Sequence, residues 1–385
     1  MRIGVIGFGE RARHIANGIL RADPSFKLAA VADPDLDKVR RYLEPGGDTR
    51  LYRTSEEMLE QGGLDGVIIG TRCDLHVREA LKVLPTGIPL FLEKPVATTF
   101  DDLMALKRGY ERHPSPVVVS FPLRYTPLVE AVRRIVGSGR IGAVEHVQAV
   151  NNVPYGGVYY HNWYRDESIT GGLFLQKATH DFDYITSIVG VKATEICAMT
   201  SKQIFKGSKP AGLMCRDCDE RQTCPESTEA RERRGDPSTG EYCCFAEDTG
   251  NEDSGSAIIR YETGMHAVYS QNFFARNGAR ARGARLIGYE GTIEFDFYQN
   301  QAVVHMHHKA ETERIAPVYA HSEHFGGDAV LIENFIAVMR GEAESKSTLE
   351  DGLFSALMCL HARESAVART FRRIAWPEES RTGGF

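Results

Sequence analysis

Ile3-Gly4-Val5-Ile6-Gly7-Phe8-Gly9-Glu10-Arg11-Ala12, near the start of the chain, decides the fold of its first third. Ile3 to Ile6 is an apolar run that reads as a buried strand, and Ile15 to Leu20 carry apolar residues at helical spacing. Between them stands GxGxxA in the strand–turn–helix setting that a dinucleotide site requires. Gly7 supplies the tight turn, and Gly9 lets the backbone approach a pyrophosphate. Ala12 is small enough for the helix to pack on the sheet while its N-terminus, with Phe8 and Arg11 beside it, faces the phosphates. A second strand, Leu28 to Ala32, ends in Asp33, 24 residues after Gly9, placed to accept hydrogen bonds from an adenosine ribose. A carboxylate there repels a 2'-phosphate, which favours NAD; Arg11 and Arg40 are near enough in sequence to leave NADP possible.

Outward from this unit, strands and helices alternate to about residue 122: strands at Gly66–Gly70, Pro89–Leu92 and Val117–Ser120, helices at Leu75–Leu84 and Phe100–Tyr110. Such βαβ alternation implies a doubly wound parallel sheet. The loop carrying Thr71 and Arg72, with His76 behind it, lies at a strand end where cofactor is contacted. Thr126-Pro127 opens an amphipathic helix expected to act as the hinge, so residues 1–125 are expected to bind NAD(P) and 126–385 to bind substrate and oligomerise. The second half shows closely spaced strand candidates with tight turns such as Glu262-Thr263-Gly264, the pattern of a large, mostly antiparallel open sheet in an α+β domain. Two helices, Gly327–Met339 and Leu349–Phe371, close the chain.

Composition agrees with a two-domain soluble enzyme: 385 residues, 42% hydrophobic, 25% charged. A net charge of -6 with scattered basic residues offers no footprint for nucleic acid or an anionic membrane. No apolar run is long enough to span a bilayer, and Met1-Arg2 leads straight into the first strand, so the protein is expected to be cytoplasmic.

Lys94 follows the strand ending at Leu92, within Leu92-Glu93-Lys94-Pro95. Ligands of open α/β sheets bind just beyond the carboxyl ends of strands, which makes this lysine a candidate for chemistry. Some eighty residues on, Gly171-Gly172 leads to His180-Asp181-Phe182-Asp183. Together with GxGxxA and Asp33, these motifs resemble the glucose-fructose oxidoreductase, inositol dehydrogenase and MocA family over almost the whole chain. The resemblance implies a nicotinamide-dependent oxidoreductase acting on a hydroxyl or carbonyl carbon of a sugar, inositol or related polyol.

The chemistry asks for these residue types in its own right. Hydride exchange at an alcohol carbon needs a group to take the hydroxyl proton and a cation to stabilise the developing alkoxide. His180 and Lys94 suit those roles, with Glu93 and Pro95 fixing the loop that presents Lys94 to the nicotinamide. Asp183, three residues after His180 on the same helix face, is expected to orient the imidazole or a substrate hydroxyl. Many relatives carry an acid four residues before the histidine. Here Gln176 stands there, able to hydrogen-bond but not to act as a base, and Lys177 beside it points either to an anionic substrate such as a uronic or aldonic acid or to solvent. Trp163 and Arg165, from the aromatic segment Tyr159–Arg165, and Arg124-Tyr125, after the last strand of the first half, are further substrate candidates. His321 and His324 either cap the penultimate helix or line the cleft.

Five of the eight cysteines, Cys215, Cys218, Cys224, Cys243 and Cys244, fall within thirty residues of a polar insertion at about 201–253. They can supply four thiolates to a structural zinc or an iron-sulfur cluster, or remain unligated thiols. Three functions stay open on sequence: an NAD-dependent dehydrogenase; an enzyme using bound NAD for transient oxidation in a redox-neutral epimerisation or glycoside cleavage; and a non-catalytic nucleotide-binding redox or metal sensor. A homodimer or homotetramer joined through the open sheet face is expected.

Overall fold

The computed structural model describes residues 1–236, 240–318 and 323–377. Two sheets organise the chain. The first has six parallel strands, β1 (Arg2–Ile6), β2 (Lys27–Ala32), β3 (Arg50–Tyr52), β4 (Gly66–Ile69), β5 (Leu90–Leu92) and β6 (Val117–Val119), in the order β3-β2-β1-β4-β5-β6. Its central strands are buried on both faces, which is why they read as continuous apolar runs without alternation. The strand order reverses between β1 and β4, so the crevice beyond their carboxyl ends is the switch point where such sheets bind ligands.

The second sheet has nine strands: β7 (Val144–Asn152), β8 (Ala193–Ser201), β9 (Ser254–Tyr261), β10 (His266–Asn272), β11 (Ala281–Gly288), β12 (Gly291–Asp296), β13 (Gln301–Met306), β14 (Thr312–Ile315) and β15 (Arg372–Arg373), in the order β14-β13-β12-β11-β7-β10-β9-β8-β15. Neighbours are antiparallel except β7 and β10. Alternation along β9 and β10 is strict: Ile259, Tyr261, Ala267 and Tyr269 face the core, while Ile258 and Val268 point outward and are exposed. The inner face packs on helices Thr179–Val189 and Leu349–Ala368 through Phe182, Ile185, Leu353 and Leu357. The first of these helices carries His180, so burial of its apolar stripe is also what positions the candidate site.

One expectation is corrected. The helix Gly327–Met339, assigned from sequence to the second domain, packs on the first sheet, with Leu331, Ile332, Phe335 and Met339 in one core with Ile3, Val5, Ile15 and Phe91. Gly18 and Gly66 lie under Ile332 and Met339, where a Cβ would collide with either side chain. The chain therefore returns to its beginning after building the second sheet. Among the described residues, no helix is long and apolar enough to cross a membrane.

Candidate active site

The crevice beyond β1 and β4 is shaped by backbone. Gly7 has φ +78°, and a Cβ there would meet the Thr71 backbone at 2.8 Å, so the turn needs glycine on both counts. Gly9, the N-cap of helix Glu10–Ala22, has only the Gly70 carbonyl, 3.6 Å from where its Cβ would stand, and no side chain caps that helix. Its first N–H groups thus remain available to an anion. Ala12 packs directly on Gly70, where an added Cβ would lie 2.6 Å from its own. Asp33 accepts the Phe8 N–H at 2.8 Å through one oxygen and the Asp35 N–H at 2.9 Å through the other, which seats it at the rim of the glycine turn. These features fit a dinucleotide: a glycine turn open to a pyrophosphate, an uncapped helix start and a carboxylate at the ribose position.

Two residues named as cofactor contacts are engaged elsewhere. Arg11 bonds Glu93 at 2.9 Å and both oxygens of Asp328 at 2.6 Å. The buried His76 ring bonds the Pro95 carbonyl at 2.7 Å, and burial lowers its pKa, so it braces the Lys94 loop as a neutral group. Arg72 lies over the Trp163 ring, 3.7 Å from its centroid, placing the β4 loop of the first domain against the aromatic segment of the second.

Across the crevice, Lys94, Gln176, Lys177 and His180 converge. The Lys94 ammonium donates to the Gln176 carbonyl at 3.2 Å, one helical turn before His180. Residues Phe174–Ala178 form a π-helical turn running into helix Thr179–Val189. Gln176 is buried and donates through Nε2 to Cys73 Sγ at 2.9 Å. Lys177 donates to the Tyr155 hydroxyl at 2.6 Å, its ammonium over the Tyr155 and Tyr159 rings. His180 is 3% exposed, edge-on to Phe121 and 6.0 Å from the His324 ring, and its Nδ1 has no hydrogen-bond partner among the described residues.

The electrostatics are one-sided. Burial, then Lys177, brings Lys94 down to about 8 despite Glu93. Burial, then Arg282, brings Lys177 down to about 7. Burial together with Lys94, Arg282, His324 and Lys177 holds His180 well below its ordinary value, so at neutral pH it is an uncharged imidazole able to accept a proton. At each of these groups the largest charge effect comes from a cation, Lys177 on Lys94, Arg282 on Lys177 and Lys94 on His180, which favours an anion or an incipient alkoxide there.

Several other candidates make contacts of their own, and for Asp183, Arg124, Tyr125 and Arg165 these correct the expectation. Asp183 does not orient His180: Arg124 holds both of its oxygens, with Nε at 2.9 Å from one of them. Burial, opposed by Arg124, raises that carboxyl to about 6. Arg124 also donates through Nη1 to Asp351 at 2.8 Å, and the Tyr125 hydroxyl donates to the Lys346 carbonyl, so both tie helices together instead of facing the cleft. Arg165 is buried against the insertion, bonding Asp248 and, at 3.0 Å, Thr249. Trp163 remains at the rim. His324 bonds Asp328 at 3.0 Å; His321 lies outside the described residues.

Sequence reading missed Cys73, Tyr155 and the pair Asp181–Arg282. Asp181 accepts from Arg282 Nε at 2.8 Å, Asn151 at 2.7 Å and the Tyr269 hydroxyl at 2.8 Å, a fully buried network beneath His180. An acid and an arginine at inward-facing positions of an otherwise apolar helix and strand were the available signal. Tyr155 carried none, being one aromatic in a loop.

Three comparisons with known proteins bear on this architecture. Residues 1–121 match the family described as oxidoreductase family, NAD-binding Rossmann fold, and residues 129–294 match the GFO/IDH/MocA C-terminal domain. The chain belongs to this oxidoreductase family. It is 26% identical over 357 residues to the Bacillus subtilis protein YteT, covering 82% of this chain and 81% of that one. With scyllo-inositol 2-dehydrogenase (NAD(+)) of B. subtilis it shares 24% identity over 204 residues, 51% of this chain and 56% of that enzyme. Among solved structures, the fold matches an oxidoreductase domain protein from Kribbella flavida with TM-score 0.78 at 18% identity, covering 97% and 98% of the two chains. It also matches an Agrobacterium radiobacter oxidoreductase in complex with NAD+, L-tartaric acid and magnesium, with TM-score 0.72 at 16% identity, covering 97% and 98%.

Proposed function

We propose that the protein is an NAD-dependent dehydrogenase of a polyol or sugar acid, with Lys94 and His180 as its catalytic residues. The observation that carries this reading is the mooring of the Lys94 ammonium to the carbonyl one turn before a neutral, buried His180, beside a crevice that fits a dinucleotide. Nicotinamide, when bound, accepts or returns the hydride. Lys94 Nζ hydrogen-bonds the reacting oxygen and stabilises its negative charge as the C–H bond breaks. The hydroxyl proton passes to the His180 imidazole, which enters the step neutral and leaves it charged. His180 is buried and Lys94 half-buried, which limits water on the proton path. Gln176, held by Cys73, orients a substrate hydroxyl without acting as a base. Lys177, whose ammonium bonds the Tyr155 hydroxyl, supports a carboxylated substrate over a neutral sugar.

NAD is preferred to NADP on the strength of Asp33, and the enzyme works in the cytoplasm, where the cofactor is supplied and its eight free thiols stay reduced. Subunits pair through the outer sheet face, which exposes Met199, Ile258 and Val268; a monomer by light scattering at micromolar concentration counts against that pairing.

A panel of inositols, sugars, uronic acids and aldonic acids, assayed by NADH formation, tests the reaction. At least one compound is expected to turn over, with a carboxylated member preferred, and Lys94→Ala and His180→Ala are each expected to lower kcat by about 10²–10⁴-fold. Product formation without net NADH would instead establish the redox-neutral alternative.

A further inference from the structure

The polar insertion between β8 and β9 folds around its cysteines. Cys215, Cys218, Cys224, Cys243 and Cys244 line one cavity together with His161. Its volume is about 20 Å³, room for a single ion or one water. Two chain segments are pinned side by side to build it. The Cys215 N–H donates to the Glu241 carbonyl at 2.7 Å and the Cys243 N–H to the Leu213 carbonyl at 2.8 Å, with Met214 and Tyr242 paired antiparallel between them. The Cys218 N–H closes back on the Cys215 carbonyl at 3.2 Å, which puts both thiols of the CxxC turn on the cavity side, opposite Cys243.

The backbone N–H groups of Glu226 and Phe245, each two residues further on, donate to the Cys224 and Cys243 sulfurs and aim them. Cys244 differs: 1% exposed, it packs in an apolar cluster with Tyr160 and Phe205. His161 Nε2 and Glu226 Oε2 are buried beside the cavity without hydrogen-bond partners among the described residues, 3.7 Å apart. None of the cysteines is paired in a disulfide.

We propose that Cys215, Cys218, Cys224 and Cys243 form a tetrathiolate site for one zinc ion that fastens the insertion to the wall of the cleft. No three of these sulfurs stand within 4.8 Å of one another, and tetrahedral Zn–S bonds of about 2.3 Å would bring all four closer than that, so the ion draws the side chains inward by rotation. The fastening is already visible. His161 Nδ1 contacts the Tyr242 carbonyl at 2.8 Å, and the Asn251 side chain donates to the Tyr159 and Tyr164 carbonyls at 3.0 and 2.7 Å. These contacts hold the segment that presents Tyr155 and Trp163 to the cleft, so the metal acts on the site through position and takes no part in the reaction.

The test is metal analysis of the full-length protein purified without chelator, with iron and acid-labile sulfide measured alongside. The expected result is about one zinc per chain and no sulfide, with zinc released by a mercurial as about four thiols are titrated. Apo protein reloaded with Co²⁺ should show thiolate-to-cobalt charge transfer and tetrahedral d–d bands. Cys218→Ser and Cys224→Ser are expected to lower zinc affinity at least about tenfold, whereas Cys197→Ser, on β8, keeps full occupancy. Should the serine variants not fold, the wild-type cobalt spectrum decides. Octahedral cobalt, iron with sulfide, or zinc-supplemented protein whose insertion thiols all react freely while no zinc is held, would each overturn the proposal.

Discussion

At the scale of single residues, Lys94 carries the sharpest expectation. Its ammonium is the form that stabilises an alkoxide, and burial followed by the Lys177 charge brings it to about 8. His180 sits well below its ordinary value and therefore stays neutral across the same interval. The sign follows directly: kcat/KM should fall as pH rises through about 8, because the lysine loses its proton, and no acidic limb from His180 should intrude near neutrality. Lys177, at about 7, is already mostly neutral there, so Lys177→Gln should move the limb only slightly, to higher pH. Lys94→Arg should remove the limb from the accessible range, at a cost in rate, because a guanidinium stays charged but presents a different geometry. A pH profile of kcat/KM in all three forms measures this; an alkaline limb unmoved in both variants would assign it to another group.

At the scale of elements, the turn leading to His180 depends on residues distant in sequence. Gly171 and Gly172 adopt φ +75° and +91°, and the Glu252 carboxylate lies 3.4 Å from where a Gly172 Cβ would stand. That carboxylate accepts the N–H groups of Leu173 and Phe174 at 3.0 and 3.2 Å, completing the start of the π-helical turn. Glu252→Ala strands two buried donors and should destabilise the fold by about 1–3 kcal/mol, measured by denaturant unfolding. Burial raises the Glu252 carboxyl from 4.5 to about 7 against those two hydrogen bonds. Because the folded state holds that proton more tightly, its contribution to stability is greatest below about 4.5 and declines as pH rises to about 7; Glu252→Gln should flatten that slope. This element also marks where sequence stops being legible. The central strands of the first sheet could be read because burial on both faces leaves unbroken apolar runs, and β9 and β10 because burial on one face imposes alternation. Phe174–Ala178 could not, since a π turn has no period of its own and its partner Glu252 lies about eighty residues away. The same reasoning covers helix Gly327–Met339: buried residues on all sides announce burial but do not say against which sheet. Lys94 and His180 were legible through local motifs, whereas the pairing of Arg124 with Asp183 arises only from packing.

At the scale of the whole molecule, the closing helix and the first glycine turn are joined by one cluster. Arg11 comes from the helix behind Gly9, Glu93 is the residue before Lys94, and Asp328 begins the helix that returns from the second sheet. Burial alone would depress the Arg11 pKa, but Glu93 and Asp328 raise it; burial would raise that of Asp328, and hydrogen bonds from Arg11, His14 and His324 hold it far below the ordinary carboxylate range. Arg11 and Asp328 therefore remain charged together, and with Glu93 they connect the glycine turn, the Lys94 loop and the C-terminal helix. Removing one partner from such a buried group exposes the desolvation cost of the others. Arg11→Met should destabilise by about 3–5 kcal/mol in denaturant unfolding, and adding Asp328→Asn to it should recover much of that loss. The pH signature has a definite sign. With its folded pKa depressed, Asp328 contributes stability at pH above 3.8 that is lost as pH falls through the folded value, so the wild type should weaken in acid by more than Arg11→Met does. The variant should also bind NAD more weakly, since the helix start facing the pyrophosphate and the loop presenting Lys94 are held by the same guanidinium. If Arg11→Met were to unfold at the wild-type denaturant midpoint while losing NAD affinity, Arg11 would be a cofactor ligand instead of the joint between the two ends of the chain.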